Sequence, residues 1–150
     1  MTASTAPGAA GTPSYDDVEV GDSLPGRIVQ ITRADLIRYA GASGDFNVIH
    51  WNERVATSVG LPNVIAHGMF TMALAARVVT DWAVDPGRVA EYGVRFTAPV
   101  PVPDDDKGAE VDVSAVVAEK LEGRRVRVDL SAICNGTKVL GRAQAVVALA

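Results

Sequence analysis

GMFTMALAARVVTDW, residues Gly68 to Trp82, is the most apolar run in the chain. Wound as a helix, it places Met69, Phe70, Met72, Ala73, Leu74, Ala75, Ala76, Val78 and Val79 on nearly every side. A helix apolar all round is expected to be buried. Asp81, Asp85, Pro86 and Gly87 end it. The rest of the chain must supply its cover.

Downstream, the pattern changes to a period of two. Val89 to Pro99 alternates imperfectly. Pro99, Pro101, Pro103 and Asp104 to Asp106 then form a solvated loop. Val111, Val113 and Ala115 alternate with Asp112 and Ser114, and Leu121 to Gly123 turn the chain. Arg125, Arg127 and Asp129 alternate with Val126, Val128 and Leu130. Asn135-Gly136 is a type I′ hairpin signal before a last strand, Val139 to Leu149. Upstream, Arg27 to Ile31 reads as a short first strand. Thr32 with Asp35 forms a capping box for a helix that Gly41 and Gly44 end. Asn52 caps a second helix, Glu53 to Val59, stopped by Gly60. This order predicts an α+β domain with one antiparallel sheet curved around one buried central helix. Apolar residues left on the sheet's outer face predict a dimer.

Composition narrows the functional classes. The chain of 150 residues fits one domain, and its net charge of −4 argues against a nucleic-acid partner. The single cysteine, Cys134, forbids an intrachain disulfide and fits a reducing cytoplasm; it reads as a packed thiol. No apolar run has the length of a membrane span. MTASTAPGAAGTPS, residues 1–14, lacks charge and an apolar segment. It reads as a disordered tail rather than a secretory signal, leaving 15–150 as the folded domain.

The chemistry concentrates in GDFNVIHWNERVATSVGLPNVIAHGM, residues Gly44 to Met69. Asp45 stands five residues before His50, and His67-Gly68-Met69 closes the segment; both histidines of the protein lie in it. A carboxyl and an imidazole next to a helix N-terminus suggest a proton-transfer site, because imidazole titrates near neutrality. Each residue also has a plainer reading. Asp45 alone could cap a turn, His50 alone could be a satisfied structural histidine, and Gly68 could be an ordinary helix-start glycine. His67 reads as a residue bonded to backbone at the helix entrance, and Tyr39 as a core aromatic with its hydroxyl bonded. A zinc site from Asp45, His50 and His67 fits no structural-zinc spacing. There is no Gly-x-Ser-x-Gly elbow and no Walker or dinucleotide loop.

Tyr39-Ala40, Ser43-Gly44-Asp45-Phe46-Asn47, Val48-Ile49-His50 and Ile65-Ala66-His67-Gly68-Met69 together resemble the motif of the MaoC-like (R)-specific enoyl hydratases and dehydratases of the hot-dog fold. The spacing matches throughout. The departure is Val48, where the family usually has a loop-stiffening Pro. Ile49-His50-Trp51, Val94 to Ala98, Val100 to Pro103 and Leu140 to Ala143 resemble B-type chains of the two-subunit (3R)-hydroxyacyl-ACP dehydratases of mycobacteria, which serve mycolic acid elongation.

The resemblance implies an antiparallel hot-dog sheet wrapped around a central helix. It implies (R)-specific dehydration of 3-hydroxyacyl thioesters, or hydration of trans-2-enoyl thioesters, carried on ACP or CoA. Asp45 and His50 would be the acid/base pair, the Gly68 N–H the oxyanion donor, and Asn47 a loop support or water-positioning group. No cofactor or metal is implied. The partner would be a second copy or a related A-type hot-dog subunit. A hot-dog thioesterase and a non-catalytic acyl-binding subunit are the alternatives. The basic strand Arg124 to Arg127 reads as an exposed face, with carrier docking, joined by Arg88 and Arg95, as its sharper alternative.

Overall fold

The computed structural model describes residues 11–150. The expected tail 1–14 lies mostly outside the described residues, and 11–14 carry no helix or strand. Pro13 already belongs to the fold, since its carbonyl accepts the Ala150 N–H.

Three helices and six strands follow in the order β1 (Ser23–Ile31), α1 (Arg33–Ser43), α2 (Glu53–Ser58), α3 (Gly68–Ala83), β2 (Val89–Phe96), β3 (Ala109–Leu121), β4 (Arg125–Cys134), β5 (Thr137–Lys138) and β6 (Leu140–Ala148). The local signals work as their chemistry requires. Thr32 accepts the Asp35 N–H while the Asp35 carboxylate accepts the Thr32 N–H, and Gly44 ends α1 at φ 77°. Gly41 does not end that helix; it sits inside α1. Asn52 caps α2 through the Val55 N–H. Asn135 and Gly136 both take positive φ, as a type I′ turn demands.

The sheet is antiparallel in the order β1-β3-β4-β6-β2, with β5 paired to β4 off this path. Along β3 and β4 alternate residues are buried, from Ala109 to Val117 and from Val126 to Cys134. This inner face curves around α3, which packs against β1, β2, β3, β4 and β6. Strand β1 begins four residues earlier than the pattern predicts, because Pro25 and Gly26 fall at an irregularity in an edge strand, where a missing N–H is tolerated.

The expectation that α3 is enclosed on all sides needs correcting. Thr71, Ala75, Val78, Val79 and Ala83 are buried, but Ala73 is exposed and Met69 is 58% exposed. One curved sheet covers one side of a helix, and the run's apolarity does not say what covers the other. Exposed Phe46, Val48, Trp51 and Phe96 add to this uncovered set. The basic strand is mostly neutralised: Arg124 pairs with Asp16, and Arg127 with Glu119 and Asp129. Cys134 is buried on β4, and burial pushes its thiol pKa up.

Candidate active site

The turn between α1 and α2 is tied by its own polar side chains. Asp45 Oδ1 accepts the Asn47 N–H at 3.1 Å, and Asn47 Oδ1 accepts the Ile49 N–H at 3.3 Å. These Asx bonds hold the loop that a Pro at position 48 would otherwise stiffen. Asn47 therefore supports the loop at the start of a single 3₁₀ turn, Val48–His50.

One carboxylate oxygen of Asp45 is occupied by that bond, and the other faces the imidazole. Asp45 Oδ2 lies 3.9 Å from His50 Nε2. His50 is 8% exposed and its Nδ1 lies 2.7 Å from the Ile65 carbonyl. A carbonyl only accepts, so Nδ1 carries the proton and the neutral ring leaves Nε2 bare toward Asp45. The Ile65 carbonyl is brought there by the Ile65 N–H to Ile49 O bond and an isolated bridge to Pro101.

The second histidine completes the wall. His67 is 1% exposed, and its ring stacks on His50 with centroids 3.8 Å apart and planes 24° apart. Its Nε2 lies 3.1 Å from the Asp45 carbonyl, and the Tyr39 ring is 4.7 Å away. Burial holds the His67 pKa below the ordinary histidine range, against the opposing pull of the Asp45 carbonyl. As expected, His67 bonds backbone at the helix entrance. Tyr39 packs as an aromatic, as expected, against the rings of His67 and Phe70, though it is only half-buried.

Gly68 is the first helical residue of α3 and lies against the Phe96 ring; a Cβ there would meet that ring at 3.0 Å. Gly68 and His50 both line a cleft of ≈ 350 Å³ whose other walls include Phe96, Thr97, Val139 and Leu140. Asp45 is not among the lining residues; its half-exposed carboxyl reaches the cleft through His50. In the sequence the strand residues of this wall read as β positions, within stretches that the resemblance covers. Antiparallel pairing of Phe96 with Leu140 turns them into one surface.

Asp45, His50 and His67 place metal-ligating atoms within 4.8 Å of one another. Ligand lone pairs lie in the imidazole plane, so two nearly parallel stacked rings do not converge on one ion. One nitrogen of each ring is also turned to a carbonyl. The arrangement suits proton transfer better than metal binding.

A model of the MaoC like domain matches residues 19–134. The chain belongs to the MaoC-like family. It is 43% identical over 79 residues to 3-hydroxyacyl-thioester dehydratase X of Mycobacterium tuberculosis, covering 53% of this chain and 27% of that protein. It is 32% identical over 137 residues to the 3-hydroxybutyryl-CoA dehydratase of Methylorubrum extorquens, covering 89% and 82%. It is 31% identical over 107 residues to the (R)-specific enoyl-CoA hydratase of Rhodospirillum rubrum, covering 71% and 73%. A solved MaoC-like dehydratase superimposes with a TM-score of 0.89 at 42% identity, over 93% of this chain and 43% of the other. The chain thus spans about a quarter of the first relative and under half of that structure. The MaoC-like chain has the hot-dog fold.

Proposed function

We propose that this MaoC-like chain is a hydro-lyase: it dehydrates (3R)-hydroxyacyl thioesters and, in reverse, hydrates trans-2-enoyl thioesters, carried on ACP or CoA. The observation that carries this reading is the bare Nε2 of His50, 3.9 Å from the Asp45 carboxyl, in a cleft shared with the N-terminus of α3. The reacting form has Asp45 protonated and His50 bare at Nε2. His50 Nε2 takes the C2 proton, and charge moves onto the thioester oxygen facing the Gly68 N–H. The C3–O bond breaks as the hydroxyl receives the proton from the Asp45 side and leaves as water. Transfer from His50 back to Asp45 restores the pair. The half-positive end of α3 favours the oxyanion.

The exposed apolar set around the cleft supports pairing with a second copy or an A-type hot-dog subunit. Phe46 and Trp51 flank the pair, while Met69 and Phe96 flank Gly68. The solved relative of more than twice this chain's matched length leaves room for such a unit. Fatty acid or mycolic acid elongation is the setting that the sequence resemblance to the two-subunit mycobacterial dehydratases implies. The lone buried thiol supports a cytoplasmic location, and no helix among the described residues is long and apolar enough to cross a membrane.

The test is incubation with a crotonyl thioester. Formation of 3-hydroxybutyryl thioester supports the reading; release of free thiol shows a thioesterase instead. Asp45→Asn keeps Oδ1 for the Asn47 N–H, and its half-exposed position leaves stability nearly unchanged. Its kcat should fall about 10²–10⁴-fold. Full activity in that variant rejects the assignment.

A further inference from the structure

The mechanism above leaves a buried imidazole unused. His67 is 1% exposed, yet it forms no cap bond for the helix it precedes. Its ring instead reaches the two elements that carry the reacting groups. It stacks on His50 at 3.8 Å, and its Nε2 faces the main-chain carbonyl of Asp45 at 3.1 Å. Its other nitrogen, Nδ1, is buried without a partner.

We propose that His67 is the positioning residue of the site: an imidazole with its proton on Nε2, which clamps the Asp45 main chain to the start of α3 and fixes the plane of the His50 ring. This rests on the hydro-lyase reading of Asp45 and His50.

The tautomer follows from the partners. The Asp45 carbonyl can only accept, so Nε2 donates and Nδ1 keeps its lone pair. Neutrality follows from the surroundings. A proton on Nδ1 would be a buried donor with no acceptor, and it would put a second cation against His50 just as His50 accepts the C2 proton. The titratable groups facing His67 are His50, through the ring stack, Asp45, through its carbonyl and at longer range its carboxylate, and Tyr39, through its ring. Burial disfavours the charged ring, and the carbonyl bond and the Asp45 charge do not offset it. The consequence is geometric. Asp45 sits on a loop and His50 on a single 3₁₀ turn, and the His67 side chain touches both.

Nitrogen-15 NMR of the imidazoles in the full chain reads the tautomer directly. His67 should show a single neutral form, protonated at Nε2, at neutral pH. A His67 ring that is charged at neutral pH, or carries its proton on Nδ1, overturns the proposal. Two variants separate its parts. His67→Phe keeps a ring to stack and loses the donor; His67→Gln keeps a donor and loses the ring. Each should lower kcat with crotonyl-CoA about tenfold, the worth of one buried hydrogen bond or ring contact, with KM changed less than about threefold. Unchanged kcat per folded site in both variants overturns the clamp, even if their melting temperatures fall. Asp45→Asn run in parallel keeps the two readings apart. If it is inactive while the His67 variants keep full kcat, only the clamp fails. If it is fully active, the hydro-lyase reading fails, and the NMR experiment still decides whether His67 is held neutral.

Discussion

At the start of α1 the Asp35 carboxylate accepts the Thr32 N–H at 2.8 Å and Thr32 Oγ1 accepts the Asp35 N–H, whereas at the start of α3 the His67 side chain makes no cap bond and turns away to the Asp45 carbonyl. Both helices pack on the same small domain, and both begin with several N–H groups that have no partner inside the helix. The first entrance spends its own side chains on them. The second faces a cleft, with Gly68 allowing close approach. A closed entrance serves stability. An open one gives up that stabilisation and keeps donors and a half-positive charge for an acceptor that arrives later.

The sharpest way to break this contrast is to remove the Gly68 N–H while keeping the helix. Proline suits the first helical position, and His67 has the extended backbone (φ −58°, ψ 132°) that a following proline requires. Gly68→Pro should lower kcat about 10²–10³-fold with the helix retained by circular dichroism. Gly68→Ala is the control, since it brings the same crowding against Phe96 but keeps the N–H; the difference between the two isolates the donor. Equal activity in both variants would remove the open entrance from the chemistry.

At the closed entrance the effect should fall on stability alone. Thr32→Ala removes one half of the capping box and should cost about 1 kcal/mol, or about 2–4 °C in Tm, with kcat unchanged. A loss of kcat there, with Tm intact, would show that the two entrances are coupled in a way the contrast denies.

The smallest effect separates the entrances by pH. His67 is held below its ordinary pKa by burial, so the unfolded chain takes up that proton first. Stability should therefore decline as pH falls below about 6.5 and level off once the folded ring also protonates. Asp35 is held below its ordinary pKa, chiefly by the Thr32 N–H. Its contribution is present above about pH 4 and is lost as pH falls through the folded value. Melting temperature against pH should show both declines. His67→Gln should flatten the upper one and Asp35→Asn the lower one.

The local signals that were legible are those whose partners lie a few residues apart. Thr32 with Asp35, Asn52 with Val55, and Asn135-Gly136 need only their own turn to act, and they formed as read. Asp45 and His50 came together for the same reason, since a short loop carries both. Where the reading missed, the reasons differ. Gly41 stays inside α1 because Gly44, three residues on, supplies the left-handed stop, and β1 begins at Ser23 because an edge strand paired with β3 tolerates Pro25. Arg124 and Arg127 looked like a basic face until Asp16, Glu119 and Asp129 were brought against them. The resemblance marked the stretches around Phe96 and Leu140, but their shared wall over the cleft comes from the pairing of β2 with β6.

By itself the sequence determined which residues cap, turn and stay apolar, and it set a carboxyl five residues from an imidazole ahead of an apolar helix. Bonds between near neighbours follow from residue type and spacing, so these features survive without the rest of the molecule. Only the tertiary structure decided that Ile65 fixes the tautomer of His50, that His67 stacks on it, and that α3 keeps one face uncovered. Those facts depend on which segments the sheet draws together, and burial and long-range pairing are properties of the whole packed chain rather than of any stretch of it.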